Sequence, residues 1–144
     1  MPVNPIPAGY HTVTPYMTVR GVKRLLEFVQ KAFDATIEGT TQGDDGTIWH
    51  AEFRIGNSML MAGEASDKWP SMPAAVYLYV PDVDAIYKQA LAAGAESIRE
   101  PADQFYGDRN CGVKDICGNF WWIGTHFEDL SIEEIQRRAT AAKI

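Results

Sequence analysis

The chain contains 144 residues, of which 46% are hydrophobic and 22% are charged, a composition typical of one globular domain. Its formal net charge of −6 argues against a nucleic-acid partner, because binding to phosphates needs a basic face. No stretch approaches the roughly 20 apolar residues of a membrane span, and no basic segment followed by an apolar one indicates a secretion signal. Because Cys111 and Cys117 form no Cys-x-x-Cys pair, we expect free thiols in a cytoplasmic protein.

The first half of the chain has the hydrophobic spacing of a β-α-β-β-β unit. Polar and apolar side chains alternate over 12–19, which predicts a strand. From Val22 to Phe33 the apolar side chains fall on one face at helical spacing, which predicts an amphipathic helix. Three more strands are predicted over 35–41, 48–55 and 58–62, with turns at 43–46 and 56–57.

The second half predicts the same order of elements. A strand over 75–80 precedes a helix, for which Asp82 is the expected N-cap and Gly94 the expected terminating glycine. Strands are predicted around 96–99, 111–114 and 119–125, and a loop over 103–109. Ser131 and Glu134 have the spacing of a capping box, which predicts a final helix over about 131–143.

The two halves also match residue by residue at an offset of 61 positions. Identical pairs at this offset include Tyr16 with Tyr77, and Val22 with Val83. We therefore predict an α+β fold made of tandem βαβββ modules, about 9–65 and 74–128. The modules and the C-terminal helix are expected to form a single domain over 1–144.

Several stretches of this sequence resemble the vicinal oxygen chelate superfamily, which includes glyoxalases, bleomycin-resistance proteins and extradiol dioxygenases. They are VRGV at 19–22, WHAEFRIG at 49–56, YVPDVD at 79–84, DQFYGDR at 103–109 and DICGNFWW at 115–122. The resemblance is greatest to the PhnB-like branch and spans roughly residues 9 to 138. It implies that the modules form a curved mixed sheet around a cup-shaped cavity.

Metal-dependent members of the family place ligands on the first and last strands of each module. The resemblance puts these four positions at Thr14, Met61, Ala75 and Trp122. None of these side chains is a suitable ligand for a divalent metal ion, apart from a lone thioether that prefers soft ions. We therefore predict no metal site and no cofactor, which argues against glyoxalase-type or dioxygenase-type activity.

Strand alternation predicts an aromatic lining for the cup. The candidate ligand-binding residues on the strands are Tyr16, Met61, Tyr77, Tyr79, Phe120 and Trp122. Trp121 has the opposite phase and is expected to pack against the helices. The lining suits an aromatic or cationic small molecule, and the resemblance to bleomycin-resistance proteins implies sequestration of such a ligand. Ordinary core packing of the rings is the alternative that the pattern leaves open.

A second function hypothesis rests on one strand face that carries His50, Glu52 and Arg54. If this face lines the cup, His50 and Glu52 are candidate catalytic residues for acid–base chemistry of a lyase or isomerase. They are also candidates for a displaced metal site with Cys111, which lies 61 positions after His50. A solvated strand face is the alternative interpretation.

Phe105 and Arg109 complete the ligand-binding candidates, because the predicted loop over 103–109 is placed to close over a ligand. A structural salt bridge explains the adjacent charged pair of this loop, Asp108 and Arg109, equally well. For His11 and His126 the ordinary hydrogen-bonded state is preferred. The family resemblance implies a homodimer, with each cup formed within one chain or shared between two. A third hypothesis is a non-catalytic interaction module that uses the surface or the C-terminal helix.

Overall fold

The computed structural model of the chain describes residues 2–143. The first module contains β1 (Tyr16–Val19), α1 (Val22–Phe33), β2 (Thr36–Gln42), β3 (Ile48–Ile55) and β4 (Ser58–Glu64). The second contains β5 (Ala75–Tyr79), α2 (Val83–Ala92), β6 (Glu96–Asp103), β7 (Asp108–Lys114) and β8 (Phe120–His126), and α3 (Ile132–Ala141) follows. The predicted α+β fold with a βαβββ repeat and a C-terminal helix is confirmed.

Each module forms its own four-stranded mixed sheet. The strand orders are β1-β4-β3-β2 and β5-β8-β7-β6, and the first pair in each sheet is parallel. Tyr16 pairs with Met61, and Tyr77 pairs with Trp122, so the register of these strands repeats at the predicted offset of 61. The repeat therefore holds in strand pairing as well as in sequence.

The helix-side faces of both sheets contribute to one hydrophobic core. In the first module Phe53 and Leu60 are buried there, and in the second Val113 and Trp121 are buried. The ring of Trp121 lies 4.9 Å, centroid to centroid, from that of Phe33 on α1. Because α1 and α2 also pack against each other, the modules associate through their helices. The assignment of Trp121 to the helix side is confirmed.

Side-chain N-caps mark the starts of the two later helices, α2 and α3. The Asp82 carboxylate accepts the amide of Ala85 at the start of α2, and the Ser131 hydroxyl accepts the amide of Glu134 at the start of α3. Both caps agree with the predictions. The start of α1 is capped differently, because Gly21 and Val22 donate their amides to the carboxylate of Glu64 on β4.

The loop predicted over 103–109 is shorter in the structure, because the strands continue into it from both sides. β6 ends at Asp103 and β7 begins at Asp108, which leaves a four-residue turn over 104–107. The amide of Gln104 donates to the carbonyl of Asp108, and Gly107 adopts a positive φ of 94° that closes the turn. Strand β1 is shorter than predicted, because only Tyr16–Val19 pairs with β4.

No helix within residues 2–143 is long and apolar enough to cross a membrane.

Candidate functional site

The sheet face opposite the helices, which we call the cup face, carries most of the predicted ligand-binding side chains. On the second module it holds a continuous group from three strands: Tyr77, Tyr79, Asp108, Asn110, Phe120, Trp122 and His126. Tyr77 and Tyr79 are 39% and 66% exposed, because no other helix or strand in the described part of the chain covers this face of the sheet, and their ring centroids are 4.9 Å apart. The second module therefore presents aromatic rings to solvent.

Asp108 is the centre of a hydrogen-bond network on this face. Its carboxylate is only 3% exposed and accepts both tyrosine hydroxyls, from Tyr77 and Tyr79, at 2.8 Å. The other carboxylate oxygen lies 2.8 Å from Nδ1 of His126, whose Nε2 lies 2.7 Å from Asp129. A buried carboxylate needs such partners to offset its desolvation. The tyrosine hydroxyls are thus engaged internally, and the ring faces remain available.

Asn110 extends the network towards Trp122. Its side-chain amide nitrogen donates to the hydroxyls of Tyr77 and Tyr106, and its oxygen accepts a hydrogen bond from Arg99 at 2.6 Å. The Arg99 guanidinium in turn lies 5.4 Å from the centre of the Trp122 ring, within cation–π range. The cup face of the second module therefore has an acidic end at Asp108 and a basic end at Arg99.

Glycines opposite the rings allow this arrangement. A Cβ at Gly124 would lie 2.4 Å from the Tyr77 hydroxyl oxygen, and a Cβ at Gly63 would lie equally close to the Tyr16 hydroxyl oxygen. Only glycine lets each ring lie flat across the neighbouring strand. The two modules thus use the same ring-over-glycine contact at the predicted repeat positions.

Replacing Gly124 by alanine is expected to displace the Tyr77 ring and break its hydrogen bond to Asp108. We expect the free energy of unfolding to fall by about 1–2 kcal/mol, the cost of one buried hydrogen bond and local overpacking. Chemical denaturation measures this loss. Gly39→Ala is the matched control, because Gly39 is also a strand glycine without a positive φ and an added Cβ would meet only a Glu52 carboxylate oxygen at an ordinary 3.6 Å. An unchanged stability of Gly124→Ala would contradict the contact.

The network shifts the pKa of its ionisable members. Burial alone would raise the pKa of Asp108, but hydrogen bonds from His126, Tyr77 and Tyr79 hold it below its ordinary value. The hydrogen bond to Asp108, followed by that to Asp129, raises the pKa of His126. Burial is the main cause of the raised pKa of Tyr77, and the hydrogen bond to Asp108 is the main cause for Tyr79. Both tyrosines therefore stay protonated donors at neutral pH.

His126 is expected to titrate above its ordinary pKa of 6.5. Because its folded pKa is raised, its contribution to stability is present below pH 6.5 and is lost as the pH rises through the folded pKa. The stability contribution of Asp108 depends on pH in the opposite direction, because its pKa is lowered, and it is lost as the pH falls through that pKa. A histidine NMR titration measures the first shift. Asp108→Asn should lower the His126 midpoint, and an unchanged midpoint would contradict the pairing.

The cup face of the first module carries the predicted acid–base pair, but without a hydrogen bond between its members. Glu52 accepts the hydroxyl of Tyr10, which lies in the N-terminal arm that crosses this face. His50 lies beside Tyr16, with ring centroids 5.9 Å apart. Arg54 pairs with Glu38 on β2. The structure therefore places His50 and Glu52 on one face, and Glu52 already has an internal partner.

The four positions that the family resemblance assigns to metal ligands do not fit a divalent metal ion. Thr14 lies before β1 and donates its hydroxyl to a backbone carbonyl, and Ala75 has no donor atom. Met61 and Trp122 offer only a thioether and an indole. Within residues 2–143, no group of three or more His, Cys, Asp or Glu side chains lies close enough to hold a metal ion.

The displaced metal site with Cys111 is wrong for a geometric reason. Cys111 pairs with Ile123 and is fully buried on the helix side, so it cannot share a cup with His50. Met61 and Trp122 are equivalent at the offset of 61, and their strand partners are Glu52 on β3 and Gly112 on β7. These partners are only 60 positions apart, so β7 is displaced by one residue relative to the offset of 61. The structural counterpart of His50 is therefore Asn110 rather than Cys111.

The remaining predicted site residues divide between the two sides of the second sheet. Phe120 lies on the cup face with the Lys114 ammonium 5.8 Å from its ring centre, and Phe105 packs edge-on against Tyr106. Arg109 lies on the opposite side, because strand alternation after Asp108 turns it towards α2. There it forms ion pairs with Asp84 and Asp103, so Arg109 has a structural role, but its partners do not include the adjacent Asp108. Arg109 is thus placed away from the cup face.

Sequence reasoning missed the most connected residues of this face. The sequence pattern places Asp108 in the loop predicted over 103–109 and indicates only an ordinary hydrogen-bonded state for His126. The acidic Asp129, three residues after His126, is a signal that the sequence did contain. The pairing of His126 with Asp108 depends on the register of the β7–β8 hairpin, which the loop prediction obscured.

Comparison with known proteins identifies the family. The family model described as the glyoxalase/bleomycin resistance protein/dioxygenase superfamily matches residues 10–123. The chain belongs to this superfamily. It is 33% identical over 150 residues to the uncharacterized protein Mb0911c of Mycobacterium bovis, with 94% of each chain covered. An equally similar protein from Mycobacterium tuberculosis H37Rv is covered over 84% of its length.

Several solved structures share this fold. TioX from Micromonospora sp. ML1 has a TM-score of 0.65 and 23% identity, covering 80% of this chain and 99% of that one. The PhnB protein from Bacillus cereus has a TM-score of 0.65 and 16% identity, with the same coverage. A superfamily member from Nocardioides has a TM-score of 0.63 and 18% identity, covering 85% and 87%. At these identities the likeness establishes the fold alone.

Proposed function

We propose that this superfamily member binds an aromatic small molecule on the cup face of its second module, without a metal ion or cofactor. The observation that carries the proposal is the state of Tyr77 and Tyr79. Their hydroxyls donate hydrogen bonds to the Asp108 carboxylate, yet the two residues are 39% and 66% exposed. Rings fixed in this way offer flat apolar surfaces at little entropic cost, which favours stacking with a planar ligand.

The charges around the rings define the ligand more closely. Asp108 and the fully exposed Asp129 lie at the Tyr79 end, where a cationic group on the ligand would be favoured. At the other end Arg99 and Lys114 already lie over Trp122 and Phe120. An added cation would be repelled there. The ligand that fits best is therefore planar, with any positive group directed towards the exposed carboxylate of Asp129.

A fluorescence titration with planar aromatic compounds tests the proposal. Binding should change the emission of Trp122, and the variant Trp122→Leu should lose that change. Cationic and neutral members of matched compound pairs then report whether the acidic end at Asp129 favours positive charge. The absence of saturable binding across the panel, or identical titrations of wild type and Trp122→Leu, would overturn it.

We also propose that two chains form a homodimer in which each cup combines one module from each chain. Within residues 2–143, no hydrogen bond, ion pair or ring contact joins the cup face of one module to that of the other. The contacts between modules lie on the helix side, such as Phe33 with Trp121 and Gln89 with the carbonyl of Ala32. Tyr16 and Tyr79 are consequently exposed by 55% and 66%.

The dimer is expected to have twice the monomer mass of 16.0 kDa in sedimentation equilibrium. A charge placed among the exposed rings, Tyr79→Asp, should weaken association, because a carboxylate would be desolvated at the interface beside Asp108. Lys88→Asp on the exposed surface of α2 is the matched control. A monomer at all protein concentrations would contradict the shared cup without affecting the stacking proposal.

An acid–base reaction is the second candidate function, and the contact between Asp108 and His126 is the observation that favours it. A histidine oriented by a carboxylate is a common proton-transfer pair. His50 and Glu52 have no such contact with each other. If a lyase or isomerase activity is found, His126→Gln is expected to reduce its kcat by about a hundredfold or more, and His50→Gln should not. The reverse result would assign the chemistry to the first module.

A further inference from the structure

A separate aromatic cavity of about 520 Å³ lies on the first module, beside the linker between the modules. It is lined by Tyr16, Thr18, Trp49, Gly63, Glu64 and Trp69. The three aromatic side chains are 55%, 49% and 65% exposed, so their rings form open walls rather than core. The volume lies within the range of small-molecule sites. Neither Trp49 nor Trp69 belongs to the binding face proposed above.

Contacts with the main chain position the backbone of Trp69 and the rings of Tyr16 and Trp49. The Trp69 carbonyl accepts the amide of Ser66 at 2.8 Å, and the Trp69 amide donates to the Ser66 hydroxyl at 3.1 Å. Tyr16 lies across Gly63. A Cβ at Gly43 would lie 2.6 Å from the indole nitrogen of Trp49, so that ring also rests on a glycine. The walls are therefore held in place before any ligand binds.

Two charged groups show which ligand charge the cavity favours. The Lys68 ammonium lies 5.7 Å from the centre of the Trp69 ring, so a cation from the chain itself already occupies a cation–π position there. The Glu64 carboxylate forms part of the wall. Amide donors from Gly21 and Val22 fix its two oxygens at 2.9 and 3.0 Å. A negative charge on a residue that lines the cavity, together with three exposed aromatic side chains, favours a cationic ligand.

We propose that this cavity binds a free organic cation with a quaternary or methylated ammonium group, which displaces Lys68 from Trp69. Methylated ammonium groups are weakly hydrated and need few hydrogen-bond acceptors, so aromatic walls suit them. A primary ammonium would require acceptors, and the Glu64 oxygens already accept two amides. The site lies apart from Tyr77, Tyr79 and Trp122, so it goes beyond the proposed stacking function.

Calorimetric titration with choline and with its neutral isostere 3,3-dimethylbutan-1-ol tests the charge requirement. Choline should bind saturably, and the neutral alcohol should bind about tenfold more weakly or not at all, because it lacks the attraction to the ring quadrupoles. Equal binding of the two compounds, or no saturable binding of choline at millimolar concentration, would overturn the proposal.

Variants then locate the site. Trp69→Leu and Trp49→Leu should each weaken choline binding by about tenfold, and both residues are exposed enough for the fold to tolerate the change. Lys68→Gln should tighten binding by about two- to fivefold, because the competing internal cation is removed. Lys88→Gln, the same change on the exposed face of α2, should have no effect.

The tests of the stacking function and of this cation site have independent outcomes. Trp69→Leu should weaken choline binding and leave the binding of a planar ligand to the second module unchanged, since Trp69 lies in the linker and outside the face of Tyr77, Tyr79 and Trp122. Loss of choline binding in Tyr79→Leu, with retention in both tryptophan variants, would move the cation site to the second module and overturn the proposal. Weaker choline binding in Lys68→Gln would also contradict it, because Lys68 would then be assisting the ligand.

Discussion

Replacing Asp115 by alanine is expected to lower the free energy of unfolding by about 3–5 kcal/mol, because four buried or half-buried donors lose their shared carboxylate acceptor at once. Asp115 is 5% exposed. Its oxygens accept the backbone amides of Cys117 and Asn119, the side-chain amide of Asn119, and the indole N–H of Trp121 at 2.8 Å. Alanine would leave these donors unsatisfied, including one on a fully buried tryptophan.

Thermal unfolding should show the loss of Asp115 as a decrease of roughly 10 °C in Tm for a chain of this size. Asp67→Ala is the matched control, because Asp67 is exposed in the linker. Asp115→Asn should cost less than Asp115→Ala, since the amide oxygen still accepts a hydrogen bond. A Tm for Asp115→Ala equal to that of the Asp67 control would contradict the role of this turn in holding Trp121.

Removing the ring of Tyr79 is expected to weaken binding of a planar ligand by about tenfold or more, whereas removing only its hydroxyl should change binding by less than about threefold. The reason is that the hydroxyl is bonded to Asp108 and the ring face is not covered. Tyr79→Leu and Tyr79→Phe separate the two effects. Isothermal titration with the same aromatic compound measures both dissociation constants.

The comparison between the Tyr79 variants is meaningful only if both remain folded. Tyr79 is 66% exposed, so the loss of its ring removes little core packing. Asp108 keeps two partners, Tyr77 and His126, in both variants. If Tyr79→Phe loses binding as strongly as Tyr79→Leu, the hydroxyl contacts the ligand, and the account of the rings as stacking surfaces is contradicted.

The fold could be predicted from the sequence because its local signals agree with each other. Asp82 and Ser131 cap the helices that their spacing indicates, and the offset of 61 carries Tyr16 onto Tyr77 in the same strand register. The turn over 104–107 could not be predicted in this way. Its short hairpin is held by the segment after β8, where Phe127 and Glu128 donate their amides to the Gly107 carbonyl.

The candidate site was predictable only where strand alternation determines it. Alternation placed Tyr77, Tyr79 and Trp122 on one face. It could not reveal the partners of Asp108, because cross-strand register decides that His126 lies opposite. The one-residue displacement of β7 likewise moved Cys111 to the core. Repeat arithmetic therefore locates strands well and individual side chains poorly.

We expect the ring face of the second module to bind a planar ligand without a metal ion. The most direct measurement is an NMR titration of the protein with such a ligand in the presence of a chelator. We predict that the largest shifts occur in the ring signals of Tyr77, Tyr79 and Trp122. Shifts confined to the face of His50 and Glu52, or binding that appears only after a divalent metal is added, would contradict it.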